Sequence, residues 1–460
     1  MASPSKAGAA LTALREDLAG DVFAPGDVGY DEARTVFNAM IDRRPAVIAQ
    51  CVDEDDVVRA VRFARDLDLK IAVRGGGHSV AGMALGDAAL VIDLRHMRAV
   101  TVDPAAEAVR VAGGATMSDL DRACQPFGLA TTGGRASTTG VGGFVLGGGT
   151  GWLDRRCGLA VDNLLGVELV TADGERTHAN GDEHPDLFWA LHGGGGNFGV
   201  ATALTLKLYE LPEFSIALVL YLPEYGPEVV RTYRDIIETA PVEASGAVLY
   251  LTGPPEEFVP PPLVGRLVCG ALLTYAGSEE DMRKLAQPLL ALPHEAEVVG
   301  AMPYADVQCM IDDPPGMRNY WSAEYLTNAP DDFVDAYCAL ADAMPVPTAT
   351  QHLLMPQGGA IAGGSHAYPV PYRDASWAVH PFGIWEDPAD DERCVAWVRD
   401  VRARVRPWST GDVYLNFIGD EGTERVVAGL GAENARRLAE VKRRYDPDNV
   451  FRFNHNIRPA

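Results

Sequence analysis

No CxxC, no HExxH and no pair of histidines at helical spacing stands in the chain, so nothing points to a zinc or other metal site. Seven scattered cysteines (51, 124, 157, 269, 309, 338, 394) form an odd set, which argues against a disulfide framework and for a reducing, cytoplasmic setting. GxxxxGK[ST] is missing, which removes a P-loop. No apolar run reaches the roughly 18 residues of a membrane span, and MASPSKAGAALTALREDLAGD lacks the apolar core of a signal peptide. Positive charge is scarce as well: 39 Lys and Arg stand against 64 Asp and Glu, a net charge of -25. That field repels phosphate backbones and anionic lipid, so neither nucleic acid nor a membrane is expected as a partner.

What the chain does have is glycine. Of its 48 glycines, 18 fall in three clusters, at 75–82, 133–151 and 193–199. Glycine costs backbone entropy, so clusters need a reason: positive φ, or close approach of the backbone to a ligand. Successive backbone N–H groups form an anion site without positive side chains, which suits a phosphate-bearing cofactor in an acidic protein. Gly194 to Gly199 match GxGxxG, but a helix precedes them and an apolar run follows, the reverse of a nicotinamide-binding unit.

The 460 residues, 47% hydrophobic, suit a globular protein of two or three domains. VIAQCV (47–52), an acidic-capped helix to about Asp66 and KIAVRGGGHS (70–79) predict β-α-β. Short strands over 91–114, a helix over 116–128 ended by Gly128, and a hairpin around Asp173-Gly174 follow. Beyond Pro212 the glycine clusters stop. SIALVLYLP, RLVCGALLTY, ATQHLLMPQGG (348–359) and SWAVHPFGIW (376–385) read as strands, with helices over 227–240, 279–292 and 331–343. Long strands without βαβ regularity predict an antiparallel sheet with helices on one face.

RGGGHSVAG (74–82), RRCGLAVDNLLG (155–166), GGGGNFGV (193–200) and YDPDNVFRFNHNIRP (445–459), in that order, resemble the berberine bridge enzyme-like branch of the vanillyl-alcohol-oxidase flavoproteins. The resemblance implies an α+β fold with a two-part PCMH-type FAD-binding domain. Its parts would be residues 1–212, with the core at about 42–212, and a C-terminal return at 405–460. A substrate domain, an antiparallel sheet covered by helices, would be inserted at 213–404. The cofactor implied is bicovalent FAD, linked through His78 to the 8α-methyl and through Cys157 by a thioether to C6. Arg155 and Arg156 would favour the Cys157 thiolate. FAD contacts are implied at Arg74, Gly75, Gly76, Gly77 and Ser79, and in the second loop at Ser137, Thr138, Val141, Gly142, Gly143, Gly148 and Gly151. Further contacts are implied at Asp162, Asn163, Gly199, Val200, Asn416, Asn454 and Asn456. Val141 stands where some relatives control access of O2. Phe144 departs from the polar or His residue many relatives carry there.

Flavin oxidation needs a C–H carbon held against the flavin and an acceptor for any proton released. In YLNF, Tyr414 and Asn416 alternate with Leu415 and Phe417, which predicts one shared face on a strand. The resemblance makes Tyr414 the catalytic residue, and a free phenol of pKa ~10 would need cations or donors to ionise. Gln351, Leu353, Met355 and Gln357 on one strand face, His380 on the next strand, and Tyr320 and Trp321 are the expected substrate pocket. The favoured activity is an oxidase moving hydride from an alcohol carbon of a sugar or secondary metabolite to FAD, with O2 as electron acceptor and H2O2 released. Alternatives are an amine oxidase of hydroxynicotine type, which Cys157 and Tyr414 weigh against, oxidative cyclisation of a small molecule, or a flavoprotein that sequesters a drug. Oligomeric state has no signal in the sequence.

Overall fold

The computed structural model describes residues 4–310, 312 and 316–460; residues 1–3, the start of the expected first domain, lie outside it. A four-stranded sheet begins the fold, in the order Val22–Phe23, Val47–Gln50, Leu90–Asp93, Ile71–Arg74, with the last three parallel. The helix Glu54–Asp66 crosses between two of them. Asp53 caps it by accepting from the Asp56 N–H, and three acids fill its first turn. A second sheet is antiparallel throughout, in the order Val100–Asp103, Ala108–Ala112, Val200–Lys207, Leu164–Val170, Arg176–Ala179.

Residues 215–385 build an eight-stranded antiparallel sheet, as the apolar runs predicted. Four helices, Gly226–Thr239, Glu279–Leu290, Asp331–Ala341 and Asp391–Val405, cover one face around Tyr233, Phe333, Tyr337, Trp377 and Trp397. Strand alternation sorts the other face. On Gln351–Pro356, His352 turns to the helices and stacks on Tyr337 at 4.1 Å, while Leu353 and Met355 turn to the first lobe. Strands at Ala244–Thr252, Ala296–Ala301, Arg318–Trp321 and Glu324–Leu326 complete this sheet and were not anticipated.

The C-terminal helices Thr423–Leu430 and Ala432–Tyr445 return the chain to the first lobe, where Phe451 bridges Ile71 in parallel. Lys442 anchors that return. Its ammonium is fully buried and reaches Asp446 at 2.6 Å, the Asn197 carbonyl at 2.6 Å and the Phe451 carbonyl at 2.8 Å.

A second buried ion pair ties the lobes together. Arg373, 0% exposed, donates to Asp162 at 2.9 Å, and Asp162 also accepts the Leu159 N–H at 3.0 Å. The expected flavin contact of Asp162 is therefore corrected: its carboxylate is spent on the substrate lobe. Asp162→Asn leaves a guanidinium buried without its anion, and urea unfolding should show a loss of about 3–5 kcal/mol. Pairing it with Arg373→Met should recover part of that loss.

Candidate active site

The three glycine segments converge on one cavity of about 330 Å³, which the strands 351–356 and 377–385 roof and the C-terminal return closes. Gly76 and Gly140 touch backbone to backbone. A Cβ on Gly76 would lie 2.4 Å from the Gly140 nitrogen, and one on Gly140 would lie 2.3 Å from the Gly76 nitrogen. Gly77 adds a φ of 74°, which glycine adopts without strain. At Gly143 and Gly196, by contrast, a Cβ would meet no protein atom, so the space beside these wall residues is left for a ligand.

His78 follows directly. Its imidazole stacks on Phe37 at 3.7 Å and 18°, and its Nε2 has no hydrogen-bond partner. Burial lowers its pKa to about 4, so the ring is neutral at physiological pH. Gly75, Gly76, Gly77, Ser79, Gly142, Gly143, Gly199 and Asn454 join it on the wall.

An aromatic group forms the roof. Register explains its membership: Gln351 pairs with Phe382, Leu353 with His380, and Trp321 with Phe382. Residues two apart share a face, so His380 and Phe382 both look down, and Trp321 does so while its neighbour Tyr320 looks away. Trp321 stacks on Phe382 at 4.1 Å, and His380 stacks on Phe417 at 4.2 Å. His380 Nδ1 lies 2.7 Å from the Ser322 carbonyl, so it carries the proton and Nε2 keeps the lone pair, without a protein partner. Burial lowers the His380 pKa to about 3.

Tyr414 is on the wall with Asn416, but not on a strand as expected. The Tyr414 carbonyl accepts the Phe417 N–H, and Leu415–Phe417 form a single 3₁₀ turn. The two side chains still meet: the Tyr414 oxygen accepts from Asn416 Nδ2 at 2.9 Å and from the Gly149 N–H at 3.0 Å. These donors and the charge of Arg135 favour ionisation, yet burial outweighs them and pushes the phenol well above its ordinary pKa.

Several expected contacts are corrected. Cys157 does not line the cavity. It ends the one-turn helix Asp154–Cys157 inside an apolar cluster with Trp152, Phe214 and Tyr304, and burial raises its thiol to about 11. The flanking arginines do not rescue it: Arg155 turns to the Ile237 carbonyl, and the charge of Arg156 is outweighed by burial. Arg74 donates to the Ala33 carbonyl at 2.8 Å, supporting the first glycine loop from behind. The Ser137 N–H donates to Asp312 at 2.6 Å, and Thr138 is exposed. Val141 and Val200 are fully buried in the core, so neither faces the cavity as an oxygen gate or a cofactor contact would. Gly148 lies against Tyr372 and Tyr414, and Gly151 against the Gly133 carbonyl, as packing glycines. Asn163 bonds the carbonyls of Cys157 and Leu159 at 3.0 Å. Asn456 is not among the lining residues, and its Oδ1 is buried without a partner. Gln357 misses the pocket because the strand ends at Pro356, and Tyr320 sits under Arg399.

Phe37, Phe382, Phe417 and Arg135 are among the wall or supporting residues the sequence did not reveal. Arg135 alone had a local signal, as a long cation within a glycine run. Among the described residues no Asp, Glu or Lys lines the cavity. A largely peptide-walled cleft without a carboxylate, carrying one arginine and unpartnered polar atoms at His78 and Asn454, fits an elongated ring-bearing dinucleotide such as FAD.

Comparison with known proteins agrees with this geometry. The FAD binding domain family matches residues 45–180, and the berberine and berberine-like family matches residues 413–458. The chain is 32% identical over 455 residues to (R)-6-hydroxynicotine oxidase of Paenarthrobacter nicotinovorans, covering 96% of this chain and 97% of that protein. An uncharacterised FAD-linked oxidoreductase of Bacillus subtilis is 29% identical, with 96% and 97% covered. Among solved structures, 6-hydroxy-D-nicotine oxidase of Arthrobacter nicotinovorans superposes with a TM-score of 0.86 at 28% identity, over 96% of this chain and 98% of that one. A BBE-like protein of Physcomitrella patens shares the fold at a TM-score of 0.87 and 21% identity, over 98% and 99%.

The Cys157 environment gives a direct expectation. In the folded protein at pH 8 iodoacetamide should leave Cys157 unmodified, and in urea it should alkylate the thiol fully, as peptide mass mapping reads out. A Cys157 peptide that resists alkylation even in urea would mean the sulfur is already bonded.

Proposed function

Because the chain belongs to the berberine bridge enzyme-like family of FAD-linked oxidoreductases, we propose that it oxidises a C–H bond beside nitrogen in a compact, ring-bearing amine, with FAD attached through His78 alone. Bound FAD supplies the acceptor for the hydride, and O2 restores it with release of H2O2. Gly75–Gly77, Ser79, Gly142, Gly143, Gly199 and Asn454 are the residues that would hold it. His78, neutral and stacked on Phe37, presents an unprotonated imidazole at the end of the first glycine loop.

The observation that carries the amine reading is a wall without a competent base. Oxidising an alcohol to a carbonyl releases a proton as well as a hydride, so a group that accepts protons near neutral pH must be at hand. Tyr414 is held well above its ordinary pKa, burial lowers His380 to about 3 and His78 and His455 to about 4, and no carboxylate or lysine stands on the described wall. A free amine needs no such base, because its lone pair drives the hydride out and the nitrogen keeps the charge. The sequence favoured an alcohol. Its two reasons weaken here, since Cys157 is away from the cavity and Tyr414 is locked as a neutral phenol.

The chain's own groups then have definite tasks. Trp321, Phe382 and Phe417 offer ring faces for the substrate and exclude water. His380 Nε2 is an acceptor suited to a substrate N–H, a hydrogen bond that strengthens as the nitrogen becomes cationic. Tyr414, fixed by Gly149 and Asn416, has a proton left to donate. The similarity to (R)-6-hydroxynicotine oxidase supports the same choice.

Anaerobic stopped-flow with matched amines and alcohols tests this. The amine should bleach the flavin faster, with its apparent affinity rising about tenfold per pH unit up to the pKa of the substrate ammonium, then levelling. Tyr414→Phe should slow the step less than about tenfold, the scale of one hydrogen bond. Faster reduction by the alcohols, or a loss of several orders of magnitude in Tyr414→Phe, counts against the amine reading. Attachment is read by acid precipitation: wild type and Cys157→Ser should come down yellow, and His78→Ala colourless.

A further inference from the structure

Arg135 is the one charged side chain on the described cavity wall, and the protein leaves it poorly paired. Only a tenth of the side chain is exposed, in a cavity whose other described lining residues are glycine, apolar, hydroxyl, amide and imidazole groups with no carboxylate among them. A buried guanidinium costs several kcal/mol unless its donors are satisfied and its charge is balanced. Both conditions are met only in part. Its hydrogen bonds among the described residues come to one, from Nη2 to the Gly151 carbonyl at 3.1 Å, and Nε has no partner. The nearest acid, Asp154, stands off at 3.7 Å and already accepts from Thr150 and from the Gly151 N–H. Burial also raises the pKa of Asp154, which weakens it as a counter-charge. The guanidinium is nevertheless held in place, lying over the Trp152 ring at 4.7 Å. Its field reaches across the cavity to Tyr414 and His380.

A fixed, desolvated cation with unspent donors beside a ring-lined space is built to receive an anion. We infer that Arg135 is a specificity-determining residue that binds an acidic oxygen of the substrate, a carboxylate or a phenolate or enolate. The inference rests on the amine-oxidation reading for the reacting carbon and adds an anionic group that the same ligand must carry. The substrate class is then a ring-bearing amine that also bears an anionic oxygen. Bound as the free amine with its acidic oxygen ionised, it carries a negative charge that the Arg135 guanidinium balances. The same donors could serve a carbonyl of the flavin ring instead, so the test separates the two sources.

Benzoate and its neutral isostere benzamide are titrated into the holoenzyme, with binding read as a shift in the flavin absorbance. Benzoate should bind at least tenfold more tightly in wild type; equal affinities overturn the inference. Arg135→Met should abolish that preference, losing tenfold to a hundredfold for benzoate and less than threefold for benzamide. Arg135→Lys keeps the charge without the planar fork and should weaken benzoate about fivefold to tenfold with benzamide unchanged. That variant decides the matter if Arg135→Met fails to retain flavin. Equal losses for both probes, or an unchanged preference together with a shifted flavin reduction potential, would assign the cation to the cofactor and overturn the proposal. The ligand titrations need no turnover, so a failure of the amine reading would leave their outcome legible.

Discussion

The fold turns on a place where two backbones meet with nothing between them. Gly76 lies two residues past a strand of the first sheet, Gly140 leads into the helix Val141–Leu146, and each nitrogen fills the space a Cβ on the other would need. That crossing makes the cavity wall out of peptide groups, puts His78 two residues further along, and leaves the helix behind it to pack Val141 into the core. Any side chain at either position would push the loops apart by more than an ångström, and close packing gives them nowhere to go. The third glycine segment is held from the other side by Lys442, whose ammonium bonds the Asn197 carbonyl and the C-terminal return together. Burying that ammonium is tolerable because Asp446 and two carbonyls surround it.

The roof obeys a different rule. Its side chains are chosen by strand parity, so a single register fixes which residues see the ligand and which see the helices. Leu353 and His380 face the cavity because they pair across two strands, and His352 is excluded because it is one residue out of phase. Function and stability are thereby separated by one residue's spacing. The two lobes are joined by polar links at the edges, such as Arg373 with Asp162, and by the apolar cluster around Tyr325, Tyr372 and Tyr414 between them.

Features carried by local pattern were legible in the sequence: the capped helix after Asp53, the hairpin at Gly174, the apolar strands 215–221 and 377–385, and the glycine clusters. The strand Ala244–Thr252 was not, because its start, Ala244-Ser245-Gly246, carries small and turn-forming residues that hide the apolar run behind it. Tyr414 and Asn416 were rightly grouped but for a reason the structure replaces. They meet through a tight turn, which sequence alternation cannot distinguish from a strand over four residues. Cys157 and Asp162 face away from their expected contacts for a common cause. Both lie in a motif that does fold against the site, but a motif fixes backbone position and leaves the direction of each side chain to its tertiary partners, here Tyr304 and Arg373. Phe37 had no signal at all, being 41 residues from the histidine it covers.

Charge links the surface to the site. The net charge of -25 belongs to the exterior, while the described cavity wall holds no acid and one arginine. In water the surface acids are screened within about 8–10 Å, but a group inside a low-dielectric cleft feels its neighbours with little screening. The potential in the cavity is therefore set by Arg135 and by the peptide dipoles of the glycine loops, not by the sum over the chain. That arrangement explains how a strongly acidic protein can hold the pyrophosphate of a dinucleotide without a lysine in the wall. It also explains why burial rather than charge governs both roof titrations. Arg135 acts to lower His380 and Tyr414 alike, yet Tyr414 rises, because loss of water costs its charged form more than one cation returns.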